Sequence, residues 1–360
     1  MQTILGYLLR DQCAYLPCSN PLASFLTRSI RSQKSGSGLP RSEYWDHTEK
    51  VPTPDGDWFH VDTKYCDKPN APTVLLCHGL ESSAGSRLAQ EMADCFVAAG
   101  THCSCLNFRG CSGEPNDTIG GYHLGFTDDL KYYMQFMQER GLTTNGLFLS
   151  GYSLGANVVL KCLGELGEDA STKWNIQGAA VACAPLDQMQ NSRVLAQPGI
   201  NLYIYSRNLL NGLQKRAREQ LLQFCDGDEN TSKFDYPRAM SAKTISDFDD
   251  AFIAPIYGFE DCWDYYRQTS SLHYLDRITV PTLMVNAKDD PFMDPAVWPT
   301  EKSAEYGGTA PLKMVREETG GHLGFTFHLV DDNDNRLKGS SPSWGSVELG
   351  RFIEHLQSFG

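Results

Sequence analysis

Residues 147–160 read LFLSGYSLGANVVL, with Ser153 at the centre of Gly151-Tyr152-Ser153-Leu154-Gly155, between an apolar run and a helix-like stretch. A serine hydroxyl is a weak nucleophile. It attacks a carbonyl when a general base lies within hydrogen-bond reach and a third group orients that base. In a chain with 32 glycines the pentapeptide alone carries little weight. It gains meaning with a strand before it, a helix after it, and an acid and a histidine further on. A strand-to-helix turn this tight brings neighbours close to the serine, so Gly151 and Gly155 are the small flanking residues it requires. Such a turn lifts Oγ above the sheet. It also leaves the Leu154 N–H at a helix N-terminus, a rigid dipole suited to an oxyanion.

The partners follow from the loops after other apolar runs. LLCHGLESS puts His78 and Gly79 directly after one run, which makes the Leu80 N–H the second oxyanion donor, with His78 and Gly79 supporting it. TLMVNAKDDPFMD offers the adjacent carboxylates Asp289 and Asp290, which must point in different directions. The register of a turn after the strand favours Asp290 as the acid, with Asp289 capping the turn or hydrogen-bonding locally. Of nine histidines, His322 in ETGGHLGF is the glycine-flanked one after a late apolar run, whereas His328 in FTFHLV reads as packed. His47, His60 and His355 lie outside the loops that should face the site. His78, His102, His123 and His273 read as structural or supporting. The chain order is then Ser153, Asp290, His322. The chemistry expected of this set is ester cleavage through an acyl-enzyme, without metal or organic cofactor. An acyltransferase that passes the same acyl group to an alcohol is the first alternative. A non-catalytic binding protein on the same fold is the second.

These residues need a scaffold, and the hydrophobic pattern supplies one. TPDGDWFHVDTKY predicts a turn at Pro54-Asp55-Gly56 and an alternating strand, hence a hairpin. The continuous apolar runs at 73–79, 102–110, 147–150, 178–186, 282–290 and 312–322 read as strands buried on both faces. Helical spacing at 87–100, 127–141, 154–164 and 346–359 falls between or after them. The expected fold class is α/β, a mostly parallel central sheet with helices on both faces. Residues 187–273 break this rhythm with polar and aromatic helices, read as a helical cap over the strand ends. The division is an N-terminal arm (1–49), core (50–186), cap (187–273) and returning core (274–360). Residues 331–343 read as a surface loop.

Composition excludes several classes. A net charge of -13 argues against nucleic acid, which calls for clustered Lys and Arg. No run of 18 apolar residues is present, so no transmembrane segment is expected, while peripheral membrane contact stays open. Twelve scattered cysteines without a C-x-x-C pair suit free thiols in a reducing, cytoplasmic setting, and Cys77, Cys162 and Cys183 read as core residues. Cys103, Cys105 and Cys111 are close enough in sequence for a metal. The preferred reading puts them on alternate faces of a buried strand and in the loop after it. The first forty residues form a basic arm, with transit-peptide character as the alternative. Oligomeric state is not legible.

HGLESS, NFRGCSGEPN, GFTDDL, GYSLGANV, NAKDDPF, GGHLGF and APIYGFEDCWDYYRQTSS, in this order, resemble the YheT-type, embryogenesis-associated branch (AB hydrolase 4) of the α/β-hydrolases over roughly residues 50–356. The resemblance implies the α/β-hydrolase fold and a Ser153, Asp290, His322 triad. It implies cleavage of short- to medium-chain acyl esters, with some relatives acting on acylglycerols or phospholipids. The family's acid falls on one of the paired aspartates, so the choice between them rests on register. Arg109 in NFRGCSGEP is expected to pair with Asp128 or Asp129 and stiffen loops around the site. The chain opens MQTILGYLL where the family has a segment ending HLQTI, so an upstream portion that anchors some relatives to membranes is expected to be missing.

Overall fold

The computed structural model describes residues 39–299, 312–325 and 343–358; most of the basic arm, His328 and the loop at 331–342 lie outside them. Among the described residues, eight strands form a single sheet in the order β1-β2-β4-β3-β5-β6-β7-β8. β1 (His47–Pro52) and β2 (Trp58–Lys64) are the expected antiparallel hairpin, turned at Gly56 with φ +84°. β2 also runs antiparallel to β4 (His102–Asn107). Every other pairing is parallel, through β3 (Thr73–Cys77), β5 (Leu147–Tyr152), β6 (Ile176–Ala182), β7 (Thr282–Ala287) and β8 (Leu312–Glu317).

Parallel strands require crossovers, and the crossovers cover both faces. That is why β3 and β5 show no apolar–polar alternation and are buried at every position. On one face Val74, Leu76, Phe148 and Val285 pack with Phe96 of α1 (Arg87–Ala98) and with Phe352 and Ile353 of the C-terminal helix (Trp344–Gln357). On the other, Leu75, Leu106, Leu149 and Met284 meet Tyr133 and Met134 of α2 (Asp128–Glu139) and the apolar length of α3 (Leu154–Leu166). Each such buried Leu or Phe stabilises the fold by about 1.5–3 kcal/mol relative to exposure.

One sequence expectation needs correction here. Cys103 and Cys105 do not lie on alternate faces: both sit in the cluster with Phe96 and Val74. Side chains two apart on a strand share a face, because the strand repeat is two. Among the described residues, the grouped metal-donor atoms do not include Cys103, Cys105 or Cys111.

Between β6 and β7 the chain is helical: α4 (Gln188–Leu195), a π-helical turn (Asn201–Ser206) continuous with α5 (Arg207–Phe224), α6 (Tyr236–Ser241), α7 (Ile245–Ala251), α8 (Ile253–Tyr257) and α9 (Cys262–Thr269). The C-terminal helix is α10. Among the described residues, no helix is long and apolar enough to cross a membrane.

Candidate active site

Ser153 stands between β5 and α3 with φ +54° and ψ -124°, a conformation a residue with a β-carbon adopts only under constraint. The constraint is visible in its neighbours. A β-carbon on Gly151 would come 2.6 Å from the Gly155 carbonyl, and one on Gly155 would come 2.2 Å from the Cys77 carbonyl oxygen. The two glycines let α3 start directly against β3 and β5. Ser153 is further held by its N–H, which donates to Ala182 O at 2.9 Å.

Across the ends of β7 and β8 the other residues converge on it. His322 Nε2 lies 2.9 Å from Ser153 Oγ, and its Nδ1 lies 2.8 Å from Asp290 Oδ2. The remaining Asp290 oxygen, Oδ1, accepts from Phe292 N at 2.9 Å, so both carboxylate oxygens are engaged. The Asp290 carboxylate has no solvent exposure and the His322 side chain retains 10%. The Phe292 ring covers the imidazole, with centroids 4.4 Å apart. Cys183, expected as a core residue, is buried but borders this relay: its sulfur and donor atoms of Asp290 and His322 lie within 4.8 Å of one another.

Asp289 departs from the expected cap or local bond. Its Oδ1 accepts from Gly320 N at 2.8 Å and Gly321 N at 2.7 Å, so it fastens the loop immediately before His322. The adjacent aspartates thus divide the work: one carboxylate meets the imidazole, the other the backbone that carries it.

On the opposite side, a β-carbon at Gly79 would lie 3.2 Å from Ser153 Cβ, which places the His78-Gly79-Leu80 turn against the serine. His78 is fully buried; its Nε2 accepts from Phe108 N at 3.1 Å and its Nδ1 is 2.7 Å from Gly79 O. This pair of contacts defines the tautomer with hydrogen on Nδ1. Burial pushes the His78 pKa down to about 4, so the ring stays neutral. A proton donated to Gly79 O holds the plane of the Gly79–Leu80 peptide, whose N–H points the other way in a trans bond. Nothing comparable recruits His123, which sits among the rings of Phe126, Tyr257, Phe259 and Tyr265, with its pKa lowered by burial to about 3.

Arg109 pairs with Asp129 through Nε at 2.8 Å and Nη2 at 2.6 Å, and with Asp55 through Nη1 at 2.6 Å; Asp128 is exposed. Burial alone would lower the pKa of this guanidinium, but hydrogen bonds and charge from Asp129 and Asp55 hold it above its ordinary value. It ties the β1–β2 hairpin to α2.

Comparison with known proteins agrees with this architecture. The α/β hydrolase fold family matches residues 72–329. The protein YheT of Escherichia coli (strain K12) is 33% identical over 333 residues, 91% of this chain and 90% of that one. The chain belongs to the α/β-hydrolase family. Within it, the chain falls in the YheT-type, embryogenesis-associated branch. Phospholipase ABHD3 of Homo sapiens is 28% identical over 77% of this chain and 66% of its own length. Medium-chain fatty acid ethyl ester synthase/esterase 2 of Saccharomyces cerevisiae is 25% identical over 86% of this chain and 70% of its own. A crystal structure of the Pyrococcus furiosus esterase Pf2001 has a TM-score of 0.51 at 14% identity, covering 79% of this chain and 86% of that one, a likeness of fold alone.

For this α/β-hydrolase, sequence reasoning passed over three residues at the site. Phe292 closes the stretch NAKDDPF, and its place two residues after Asp290 was the signal available. Tyr205, whose ring lies 5.2 Å from that of Phe292, and Arg216, which pairs with Glu81 at 2.9 Å, come from the 187–273 segment. Their contacts span long sequence separations, and no local pattern marks them.

Proposed function

We propose that this protein is a carboxylic ester hydrolase with Ser153 as nucleophile, His322 as general base and acid, and Asp290 as the group that orients and stabilises the imidazolium. The observation that carries this reading is the continuous relay Asp290–His322–Ser153, with hydrogen bonds of 2.8 and 2.9 Å, ending on a serine in a strained turn. His322 Nε2 takes the Oγ proton as Oγ bonds to the ester carbonyl carbon. The resulting oxyanion is met by the N–H groups of Leu80 and Leu154. Collapse breaks the bond to the alkoxide, which leaves with the proton from His322. Water then attacks the acyl-enzyme while His322 takes its proton, and the acid departs as Ser153 is reprotonated. Asp289 and His78 act beneath these groups, holding the His322 loop and the Gly79–Leu80 peptide.

The helical segment 187–273 serves as a cap that shapes the acyl site, since Tyr205 reaches Phe292 and thereby the catalytic imidazole. Short- to medium-chain acyl esters, including acylglycerols and phospholipids, are the substrate class. The names of the yeast ester synthase/esterase and the human phospholipase relatives support that choice. The former name also supports a second outcome of the same acyl-enzyme, transfer to an alcohol; product analysis with and without ethanol separates the two. The primary test is Ser153→Ala. It should abolish labelling by a fluorophosphonate probe and all ester turnover while the circular dichroism spectrum and melting temperature stay within error. Labelling that survives the substitution defeats the assignment.

A further inference from the structure

The cap carries a surface the mechanism does not use. Residues 194–206 contain no charged side chain. Eight large apolar side chains are exposed among the described residues, and three of them fall in this stretch: Ile200 at 47%, Tyr203 at 69% and Ile204 at 41%. A soluble surface normally scatters such residues singly, and a cluster marks a place where something binds. Two exposed cations, Arg193 and Arg207, bracket the stretch in a chain whose net charge is -13. Arg193 also lies over Trp263, another exposed aromatic, at 6.0 Å.

The inner side of the same turn is part of the site wall. Tyr205 is 1% exposed, its ring is 5.2 Å from Phe292, and Phe292 is 4.4 Å from His322. Its burial and the nearby Asp290 charge raise the pKa of the Tyr205 phenol. Two rings therefore separate the exposed strip from the catalytic imidazole. The turn is π-helical, the widened geometry that recurs at functional sites, and it runs without a break into α5.

We propose that the Ile200–Tyr203–Ile204 strip docks the enzyme on an anionic phospholipid surface, with Arg193 and Arg207 at the headgroup phosphates and the site mouth facing the lipid. Aliphatic side chains, an interfacial tyrosine and flanking arginines are the combination such a surface recognises. The local charge argues for this occupant: an uncharged strip lies between two exposed cations, which suits an anionic interface even on a chain whose net charge is negative. The proposal rests on the lipid-ester reading of the site, because it explains how a poorly soluble ester would reach Ser153.

The test is flotation of the full chain with phosphatidylcholine vesicles, with and without phosphatidylglycerol, in parallel with turnover of the water-soluble ester p-nitrophenyl acetate. Combined Ile200→Ser, Tyr203→Ser and Ile204→Ser should weaken vesicle partitioning by at least about tenfold. Arg193→Gln with Arg207→Gln should remove about tenfold of the phosphatidylglycerol-dependent part. Both should leave p-nitrophenyl acetate turnover unchanged, which shows that the variants fold. Ser153→Ala should bind vesicles as the unaltered chain does. Vesicle binding that depends on the strip, in a protein that turns over no ester, would refute the hydrolase reading and leave the docking intact. Ester turnover without vesicle binding, or binding indifferent to both sets of variants, overturns the docking. A dimer in sedimentation velocity that the combined Ile200→Ser, Tyr203→Ser and Ile204→Ser change dissociates, with vesicle binding unaffected, overturns it as well and assigns the strip to a contact between copies.

Discussion

Adjacent aspartates with separate partners make a sharp experiment. Asp290→Asn keeps size and shape but replaces an acceptor of the His322 Nδ1 proton, 2.8 Å away, with an amide that can present N–H to the same nitrogen. The imidazole then favours the tautomer with hydrogen on Nε2, which cannot take the Ser153 proton, and the imidazolium loses its counter-charge. A loss of about 10⁴ in kcat is expected, with little change in stability. Asp289→Asn should behave in the opposite way. Its Oδ1 accepts from the N–H groups of Gly320 and Gly321, and an amide oxygen can accept both bonds. What is lost is the charge assistance, about 1 kcal/mol per bond, and it falls on the supporting loop and not on the reacting atoms, so kcat should fall less than about tenfold. Asp289→Ala removes the acceptor altogether. The two N–H groups then lose this acceptor at about 1–3 kcal/mol each, the loop before His322 loosens, and both the melting temperature and kcat decline. Steady-state kinetics on one soluble ester, with thermal melts of the three variants, reads the whole pattern: rescue by Asn at 289 and no rescue by Asn at 290. If Asp289→Asn loses as much turnover as Asp290→Asn, the division of roles is wrong.

Two further outcomes follow from groups outside the relay. Arg216 of α5 holds Glu81 at 2.9 Å, next to Leu80, and stacks over Tyr122. Arg216→Gln should therefore lower kcat about tenfold with a smaller change in KM, because it frees the oxyanion turn rather than a substrate contact; a change confined to KM would refute this. Asp249 of α7 is buried, accepts from the Tyr266 hydroxyl at 2.6 Å, and has its pKa pushed up to about 7 by burial, with the Asp250 charge adding to the shift and the Tyr266 bond opposing it. A carboxyl whose pKa rises on folding binds its proton more tightly in the folded state. Stability from this group is full below the unfolded value near 4 and declines as pH climbs to about 7, by up to about 4 kcal/mol. Asp249→Asn should flatten that decline in a melting-temperature profile from pH 4 to 8; an unchanged slope would show that the decline has another source.

The parts of this protein written locally were legible, and the parts written between distant segments were not. Buried parallel strands announce themselves as unbroken apolar runs, because crossover helices cover both faces. A strained serine turn announces itself through flanking glycines, because Gly155 must abut the Cys77 carbonyl. The choice of Asp290 over Asp289 came from the register of one turn. The role of Asp289 did not, since the N–H donors it accepts from lie 31 and 32 residues away on a loop whose path depends on β8. Arg216, Tyr205 and Cys183 belong to the same class: each reaches the site from a segment whose own pattern describes only a helix or a strand end. The misplacement of Cys103 and Cys105 on opposite faces was a different matter, an error of period that the sequence itself would have corrected.

This division has a physical cause that bears on specificity. Ser153, Asp290 and His322 hang from strand ends, where the sheet fixes their positions to within a hydrogen bond, and strand ends are readable. The proposed acyl-binding wall comes from a helical segment that meets the strand-end loops through contacts between distant residues, such as Tyr205 on Phe292 and Arg216 on Glu81. One substitution at such a contact alters the wall while the relay behind it stays in place. On the proposed function, chemistry and substrate choice are thereby carried by separable sets of residues, which would let one hydrolase scaffold keep its acyl-enzyme and change the ester it accepts.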